Sequence, residues 1–316
     1  MSKNTIAVTM GDPAGVGPEV CLDLLANEVI RATCVPVVYG DVAVLQACAE
    51  RTGKPLPVPE QVRDLGAIVV GDFLPGEVST KTGAASAAYI NQAIDDALAG
   101  KIDGITTAPI NKEAIRAAGV EEPGHTEIFI NRTQTKRGCM MLTSDIMTCS
   151  FVTVHCGYHE VPNLLSSEKI FEVTQLTREA MKRLRGREPK IVVNGLNPHA
   201  GEHGLFGQNE EERLIIPAID RARADGADIE GPLPPDTAFL KERRADTDAY
   251  ICMYHDQGHI IMKALAFDRA VNTTLGLPFP RTSVDHGTAL DIAWQGKADP
   301  GSMFEAVKLA VRLVDG

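Results

Sequence analysis

Three histidines stand where chemistry is expected, each shortly after a run of β-branched and apolar residues. His155 follows SFVTV, His199 lies in NGLNPHAGEHG, and His255 lies in YICMYHDQGH. Ligands of open α/β sheets bind beyond the carboxyl ends of the strands, and neutral imidazoles are common ligands of divalent metal ions. Three protein ligands with one open position are typical of a catalytic metal site, whereas packing or solvent exposure is the favoured explanation of each histidine taken alone.

Two aspartates accompany these histidines in the sequence. Asp256 adjoins His255, and Asp236 lies in the turn PLPPDTAF. A carboxylate at either position would complete the metal site or orient a ligand through a hydrogen bond. His203 lies in a glycine-rich loop, where solvation explains it. His259 lies one helical turn beyond His255, where a ligand role and a packing role are both open.

A second cluster has the composition of an anion site. In PGHTE, Gly124 permits close approach, His125 and Thr126 offer donors, and Thr126 would cap the helix TEIFINRT. The N-terminal amides of a helix attract anions, so this segment favours a bound phosphate or carboxylate. Three more donors lie downstream, each unremarkable if it were on the surface: Lys263, Asn272 and Arg281.

The loop MGDPAGVGPEV follows an apolar run and opens a helix, which makes it similar to a phosphate cradle. It matches neither GxGxxG nor GxxxxGK[ST], so a sharp turn without a ligand explains it almost as well. In TTAPINKEA, Asn111 would cap a helix, and Lys112 would face either a cofactor or water.

The elements that must position these residues follow an alternating α/β pattern. Short β-rich runs are separated by longer stretches of helical periodicity, and the clearest helix, SSEKIFEVTQLTREAMKRLRG, has Ser166 or Ser167 as its cap and Gly186 as its stop. We expect strands over 6–10, 35–39, 67–70, 104–107, 140–144, 149–155, 190–194 and 250–254.

Composition excludes several classes of protein. The 316 residues carry a formal net charge of -11, which argues against a nucleic-acid partner. The seven cysteines form no CxxC pair, and no signal peptide or membrane span is evident, so we expect a soluble cytoplasmic protein with no membrane partner. The absence of a GxSxG motif disfavours a serine hydrolase.

Taken together, six segments resemble the 4-hydroxythreonine-4-phosphate dehydrogenase family of pyridoxal phosphate biosynthesis, over nearly the whole chain. The segments are TMGDPAGVGPEV, TAPINKEA, PGHTE, NPHAGE, YHDQGH and VNTTLGLPFPRTSVDHGTALDIA. The resemblance implies a two-lobed α/β subunit with a central cleft, distantly similar to isopropylmalate dehydrogenases. It implies one catalytic unit over 1–316, with lobes of about 1–120 plus 285–316 and about 121–284, and a homodimer with shared active sites.

The resemblance also implies roles for single residues. The metal ligands would be His155, His199 and His255, and the substrate contacts would be His125, Thr126, Lys263, Asn272 and Arg281. We assign catalytic roles to Lys263, Asp256 and Asp236. The implied cofactors are NAD or NADP, bound by residues that the resemblance does not identify, and one divalent metal ion per active site, zinc, magnesium or cobalt.

The implied reaction oxidises 4-hydroxy-L-threonine 4-phosphate, a small phosphorylated hydroxy acid, and decarboxylates the 3-oxo acid to 3-amino-2-oxopropyl phosphate. Two positions depart from the vitamin-pathway members, which usually have an apolar residue where His259 stands and glycine where Trp294 stands. These positions are closer to the sister group that oxidises D-threonate or D-erythronate 4-phosphate. A non-catalytic phosphometabolite-binding protein and a metal-assisted phosphoester hydrolase are alternatives from other classes.

Overall fold

The computed structural model describes residues 3–266 and 269–316. Its strands are β1 (Thr5–Thr9), β2 (Val35–Gly40), β3 (Val62–Asp64), β4 (Gly104–Thr107), β5 (Cys139–Thr143), β6 (Thr148–Phe151), β7 (Lys190–Asn194), β8 (Asp228–Leu233), β9 (Ala249–Cys252), β10 (Val271–Leu275) and β11 (Arg281–Ser283). Its α-helices are α1 (Gly17–Ala26), α2 (Glu28–Thr33), α3 (Val42–Thr52), α4 (Thr80–Leu98), α5 (Lys112–Ala117), α6 (His125–Thr133), α7 (Val161–Leu164), α8 (Ser167–Arg185), α9 (Ile216–Ala224), α10 (Pro235–Ala238), α11 (Lys241–Ala245), α12 (His255–Ala266) and α13 (Gly301–Asp315). The mixed α/β class expected from the sequence is confirmed.

The chain divides into two compact units, and the divisions fall away from the expected lobe boundaries. Unit 1 comprises Met1–Lys136 and Leu277–Asp315, and unit 2 comprises Arg137–Gly276 and Gly316. The boundaries between the units therefore lie near residues 136 and 276, whereas the expected lobe boundaries lie near residues 120 and 284. The reason is that α6 packs against α4, and Phe129 of α6 meets Phe279 edge-on with ring centres 6.3 Å apart. These contacts keep both segments with unit 1.

Unit 1 contains a parallel sheet in the order β3-β2-β1-β4-β11. Its central strands are almost entirely buried, and Ile6, Val8 and Ile105 are completely so. Such strands require cover on both faces of the sheet. Because all five strands run the same way, the carboxyl ends of β1, β4 and β11 lie at one edge, and Thr107 ends β4 there.

Unit 2 contains six strands in the order β10-β5-β6-β9-β7-β8. The β10–β5 and β5–β6 pairs are antiparallel, whereas β6, β9, β7 and β8 are parallel to one another. The carboxyl ends of these last four strands therefore lie in a row along one edge of the sheet. Packing in this unit centres on Leu142, Phe151 and Tyr250.

The clearest helix predicted from the sequence is confirmed. Helix α8 begins after Ser166, whose side chain accepts a hydrogen bond from the Lys169 amide at 3.1 Å, and it ends at Gly186 with φ 66°. None of the helices in the described part of the chain has the length and hydropathy needed to cross a membrane.

The strand expected over 67–70 is wrong, because β3 lies earlier, at Val62–Asp64. Residues 67–70 form a loop in which the amides of Ala67 and Ile68 donate to the two carboxylate oxygens of Asp41, at 2.7 and 3.1 Å. A side chain distant in sequence thus satisfies the amides that a strand would have paired.

Candidate functional site

The row of strand ends in unit 2 carries the candidate metal ligands. His155 follows β6, His255 follows β9, His199 follows β7, and Asp236 follows β8. These four strands are adjacent and parallel, so the residues that follow them leave the sheet at the same edge. The chain order of the strands differs from their order in space, which brings the segments carrying His155 and His255 side by side.

The imidazoles of His155 and His255 have ring centres 5.9 Å apart. With metal–nitrogen distances of about 2.1 Å, two imidazoles that share one ion have centres roughly 5–6 Å apart. Their separation therefore fits joint binding of a divalent metal ion.

Asp256 fixes the hydrogen-bonding state of His255. Nδ1 of His255 donates to Oδ1 of Asp256 at 2.6 Å, which leaves Nε2 as the ring nitrogen available to a metal. The hydroxyl of Tyr158 donates to the other oxygen of Asp256. The hydrogen bonds from Tyr158 and then His255 lower the pKa of Asp256, so it is a carboxylate at neutral pH. Such a carboxylate suits orientation of a metal ligand.

His259 also belongs to this cluster. Its ring stacks on that of His255, with centres 3.6 Å apart and planes 7° apart, and it lies 4.5 Å from the ring of Phe151. Its Nδ1 donates to the backbone carbonyl of His255 at 3.0 Å. His259 therefore stabilises the first turn of α12 and packs on one face of the His255 ring.

His199 occupies an unusual backbone conformation. It has φ 52° and ψ 27° within the 3-10 turn Pro198–Gly201, which helix α10 contacts. Asp236 lies on that helix and is exposed. Within residues 3–266 and 269–316, no three histidine, cysteine or acidic side chains are gathered closely enough to hold a metal ion. The structure pairs His155 with His255 and leaves His199 outside that pair.

Unit 1 contains the candidate anion site, which is built around a buried cation. Arg281 is 1% exposed, and its Nη2 donates to Oγ1 of Thr107 at 2.5 Å. Its guanidinium lies 5.3 Å from the ring centre of Phe129 on α6. Helix α6 begins at His125 after Gly124, so Thr126 lies in the first turn and the expectation that it caps the helix is wrong.

The charges of this site are set by burial. Burial lowers the pKa of Arg281 to about 9, against the opposing effect of Glu127, and the guanidinium stays charged at neutral pH. Burial, then Arg281 and Lys112, lower the pKa of His125 well below 6.5, so this ring is neutral. The buried Nε2 of His125 has no hydrogen-bond partner among the described residues. A buried guanidinium beside a helix N-terminus is an arrangement that binds anions.

The other two expected substrate contacts lie in unit 2. Asn272 is on β10 opposite Leu142, and its side-chain oxygen is buried without a hydrogen-bond partner in the described part of the chain. Lys263 lies half-buried on α12, eight residues after His255. Two turns of one helix therefore connect Lys263 with the histidine cluster.

The loop between β1 and α1 is a structural turn rather than a phosphate cradle. Its amides are already used, since Asp12 donates to Pro109 O at 2.9 Å, Val16 donates to Thr288 O at 3.0 Å, and Ala14 donates to Oδ1 of Asp12 at 2.9 Å. In the next loop, Oδ1 of Asn111 accepts from the Ala114 amide at 2.9 Å, which confirms the predicted cap of α5.

Trp294 supports the same turn from the side. It has φ 59°, a conformation that favours glycine, yet it is only 4% exposed. Its Nε1 donates to Pro13 O at 3.0 Å, and its ring meets Phe73 edge-on at 5.9 Å. Packing within unit 1 therefore accounts for tryptophan in place of glycine at position 294.

Three residues near the candidate metal ligands could not be identified from the sequence patterns alone. Tyr158 contacts Asp256 across 98 residues of chain, and no local signal marks it. Glu210 and Glu211 bind the loop of His199 from the start of a helical turn. Their adjacent carboxylates, just after a glycine-rich loop, were the available signal.

Known proteins share this fold and most of this sequence pattern. Residues 32–310 match the family described as pyridoxal phosphate biosynthetic protein PdxA. The 4-hydroxythreonine-4-phosphate dehydrogenase of Desulfosudis oleivorans is 46% identical, over 97% of this chain and 95% of that protein. The D-threonate 4-phosphate dehydrogenase of Cupriavidus necator is 43% identical, over 98% and 96%. A crystal structure of 4-hydroxythreonine-4-phosphate dehydrogenase from Klebsiella pneumoniae superposes with a TM-score of 0.89 at 38% identity, covering 99% of both chains. The chain belongs to the PdxA family of pyridoxal phosphate biosynthetic proteins.

Proposed function

We propose that the protein is an NAD(P)-dependent dehydrogenase that oxidises 4-hydroxy-L-threonine 4-phosphate with a divalent metal ion and yields 3-amino-2-oxopropyl phosphate. Relatives named for this activity support the reaction class. The buried guanidinium of Arg281 at the start of α6 is the observation that supports a phosphorylated substrate. Taking a cation out of water is costly, and an anionic ligand offsets that cost.

The residues of unit 1 bind the phosphate in this proposal. Arg281 donates to two phosphate oxygens, since its planar fork suits bidentate binding. The neutral ring of His125 donates one hydrogen bond, and Thr126 adds its hydroxyl at the helix N-terminus. Lys263 and Asn272, which lie in unit 2, stay expected substrate contacts from the family resemblance.

The histidines of unit 2 suit a divalent metal ion. His155 and His255 have a suitable separation, and Asp256 accepts a hydrogen bond from His255. His199, which the structure leaves outside that pair, is the proposed third ligand. A bound zinc, magnesium or cobalt ion would lower the pKa of the substrate hydroxyl. Asp256 keeps His255 oriented, and we propose the same role toward His199 for Asp236, which lies on the helix that contacts the His199 turn.

The remaining chemistry falls to Lys263 and the nicotinamide. A bound NAD or NADP would supply the hydride acceptor for this oxidation. Lys263, which lies on α12 with His255, would stabilise negative charge through Nζ as carbon dioxide leaves and then donate a proton to carbon. We propose that the enzyme acts as a homodimer with shared active sites.

Asp256→Asn is expected to weaken Co²⁺ binding about 10- to 100-fold, because loss of a carboxylate behind a ligating histidine typically has this effect. Tyr158→Phe should weaken Co²⁺ binding less, since this variant loses one hydrogen bond to the Asp256 carboxylate and keeps the carboxylate itself. Tyr254→Phe, which alters the ring packed edge-on against Tyr158, is the control and should bind as the wild type. Isothermal titration calorimetry measures the Co²⁺ affinity of each variant. An unchanged affinity of Asp256→Asn would contradict the role assigned to Asp256.

The substrate is tested with three phosphorylated acids. The alternative substrates are D-threonate and D-erythronate 4-phosphate, which the presence of His259 against the His255 ring and the similarity to the C. necator enzyme favour. We expect the largest kcat/KM, measured as NADH or NADPH formation, with 4-hydroxythreonine 4-phosphate. A higher value with D-threonate 4-phosphate would assign the alternative. A rise in Tm with ligand but no reduced cofactor would indicate a binding protein.

A further inference from the structure

We infer that Glu211 is a positioning residue for His199, whose loop it holds in a strained conformation suited to metal binding. The inference rests on the proposed function, since it takes His199 as a metal ligand. Three features of unit 2 carry it: the backbone strain of the loop 195–210, the buried carboxylates that bind this loop, and the small residues that make room for them.

The strain is concentrated in this loop. Eight non-glycine residues in the described ranges have positive φ, and five of them lie here: His199, Ala200, Glu202, His203 and Asn209. Residues with a Cβ atom disfavour this conformation, so it persists only where surrounding contacts impose it. The conformation of His199 therefore depends on whatever holds the loop.

Glu211 provides the central contacts. It is 1% exposed, and its Oε1 accepts from the amides of Leu196 at 2.9 Å and Asn197 at 2.8 Å. Its Oε2 accepts from Nδ2 of Asn197 at 3.0 Å. One buried carboxylate thus receives three hydrogen bonds from the two residues that lead into the strained turn.

Glu210 strengthens the same arrangement. Its Oε2 accepts from Nδ2 of Asn197 at 2.9 Å and from the Gln208 amide at 2.7 Å. Burial by itself raises the pKa of Glu210, and hydrogen bonds led by that from Gln208 outweigh it, so the pKa is lowered. The side-chain amide of Asn197 therefore bridges two carboxylates, and the loop is bound at both its beginning and its end.

Glycine is required where the carboxylate meets the turn. A Cβ atom on Gly201, which has φ 80°, would lie 2.6 Å from Oε2 of Glu211. A Cβ atom on Gly195 would lie 2.7 Å from Cα of Ala200. The turn that contains His199 is thus packed directly against the carboxylate of Glu211.

Glu211→Gln tests this role with little change in size. A glutamine presents one acceptor and one donor group, so in either orientation its NH₂ faces N–H groups of Leu196 and Asn197. We expect Co²⁺ affinity, measured by titration calorimetry of the full-length protein, to fall about tenfold or more. Glu212→Gln, an exposed neighbour in the same turn, is the matched control and should keep the wild-type affinity.

A double-mutant cycle with His199→Ala separates positioning from general structural damage. If Glu211 acts through His199, Glu211→Gln should change Co²⁺ affinity by less than about twofold when His199 is already alanine. An equal loss in both backgrounds would overturn the inference. Wild-type affinity of His199→Ala alone would instead overturn the proposed metal site, and the inference with it.

Asn197→Ala is the milder variant to use if Glu211→Gln does not fold. It removes the Nδ2 bridge and leaves both backbone bonds to Glu211 in place. We expect a smaller loss of Co²⁺ affinity that again disappears in the His199→Ala background. Wild-type Co²⁺ affinity of Asn197→Ala would count against the inference.

Discussion

Arg281→Met is expected to lower kcat/KM for the phosphorylated substrate about 10²- to 10³-fold. Methionine occupies similar space but offers no donor, and truncating one partner of a buried, hydrogen-bonded charge pair costs about 3–4 kcal/mol. Most of the loss should appear in KM, because the phosphate does not react and its binding contributes to ground and transition states alike. Steady-state formation of the reduced cofactor measures it.

Two further variants make the Arg281 result specific. Thr107→Val removes the hydroxyl to which Arg281 Nη2 donates. It should lower kcat/KM several-fold, as the loss of a single hydrogen bond does. Arg51→Met changes an exposed arginine of α3 in the same unit and should have no effect. A kcat/KM of Arg281→Met within threefold of the wild type, in a folded protein, would exclude Arg281 as the phosphate ligand.

His255→Ala is expected to abolish stoichiometric metal binding and to lower kcat/KM at least 10³-fold. This histidine contacts His155, Asp256 and His259, so its loss removes a ligand and the centre of the cluster. Metal content by mass spectrometry and turnover are the two measurements. His203→Ala, an exposed histidine in the same unit, is the control. Full metal content in His255→Ala would refute the assignment of this ligand.

The sequence alone predicts those helices and strands that have strong local signals. Helix α8 carries its own cap at Ser166 and its own stop at Gly186, and the apolar run of β1 is buried on the sheet. The run 67–70 has equal β propensity, yet Asp41, which is distant in sequence, binds its amides. Local propensity fails where a tertiary hydrogen bond competes for the same backbone groups.

The candidate site could be proposed from the sequence as a set of residues but not as an arrangement. Strand-end positions marked His155, His199 and His255, because strand ends can be found from local patterns. The strand order β6-β9-β7-β8 is not local, so the pairing of His155 with His255 emerges only in the structure. Tyr158 and Glu211 act through contacts with distant segments, which periodicity and motif spacing do not reveal.

The most direct test of the account is a single comparison with 4-hydroxythreonine 4-phosphate as substrate. The enzyme is stripped of metal with a chelator, dialysed, and assayed for NADH or NADPH formation before and after addition of Zn²⁺, Co²⁺ or Mg²⁺. We predict no turnover in the stripped enzyme and recovery on addition of at least one ion, with release of carbon dioxide. Full turnover by the metal-free enzyme, or none with any ion, would contradict the account.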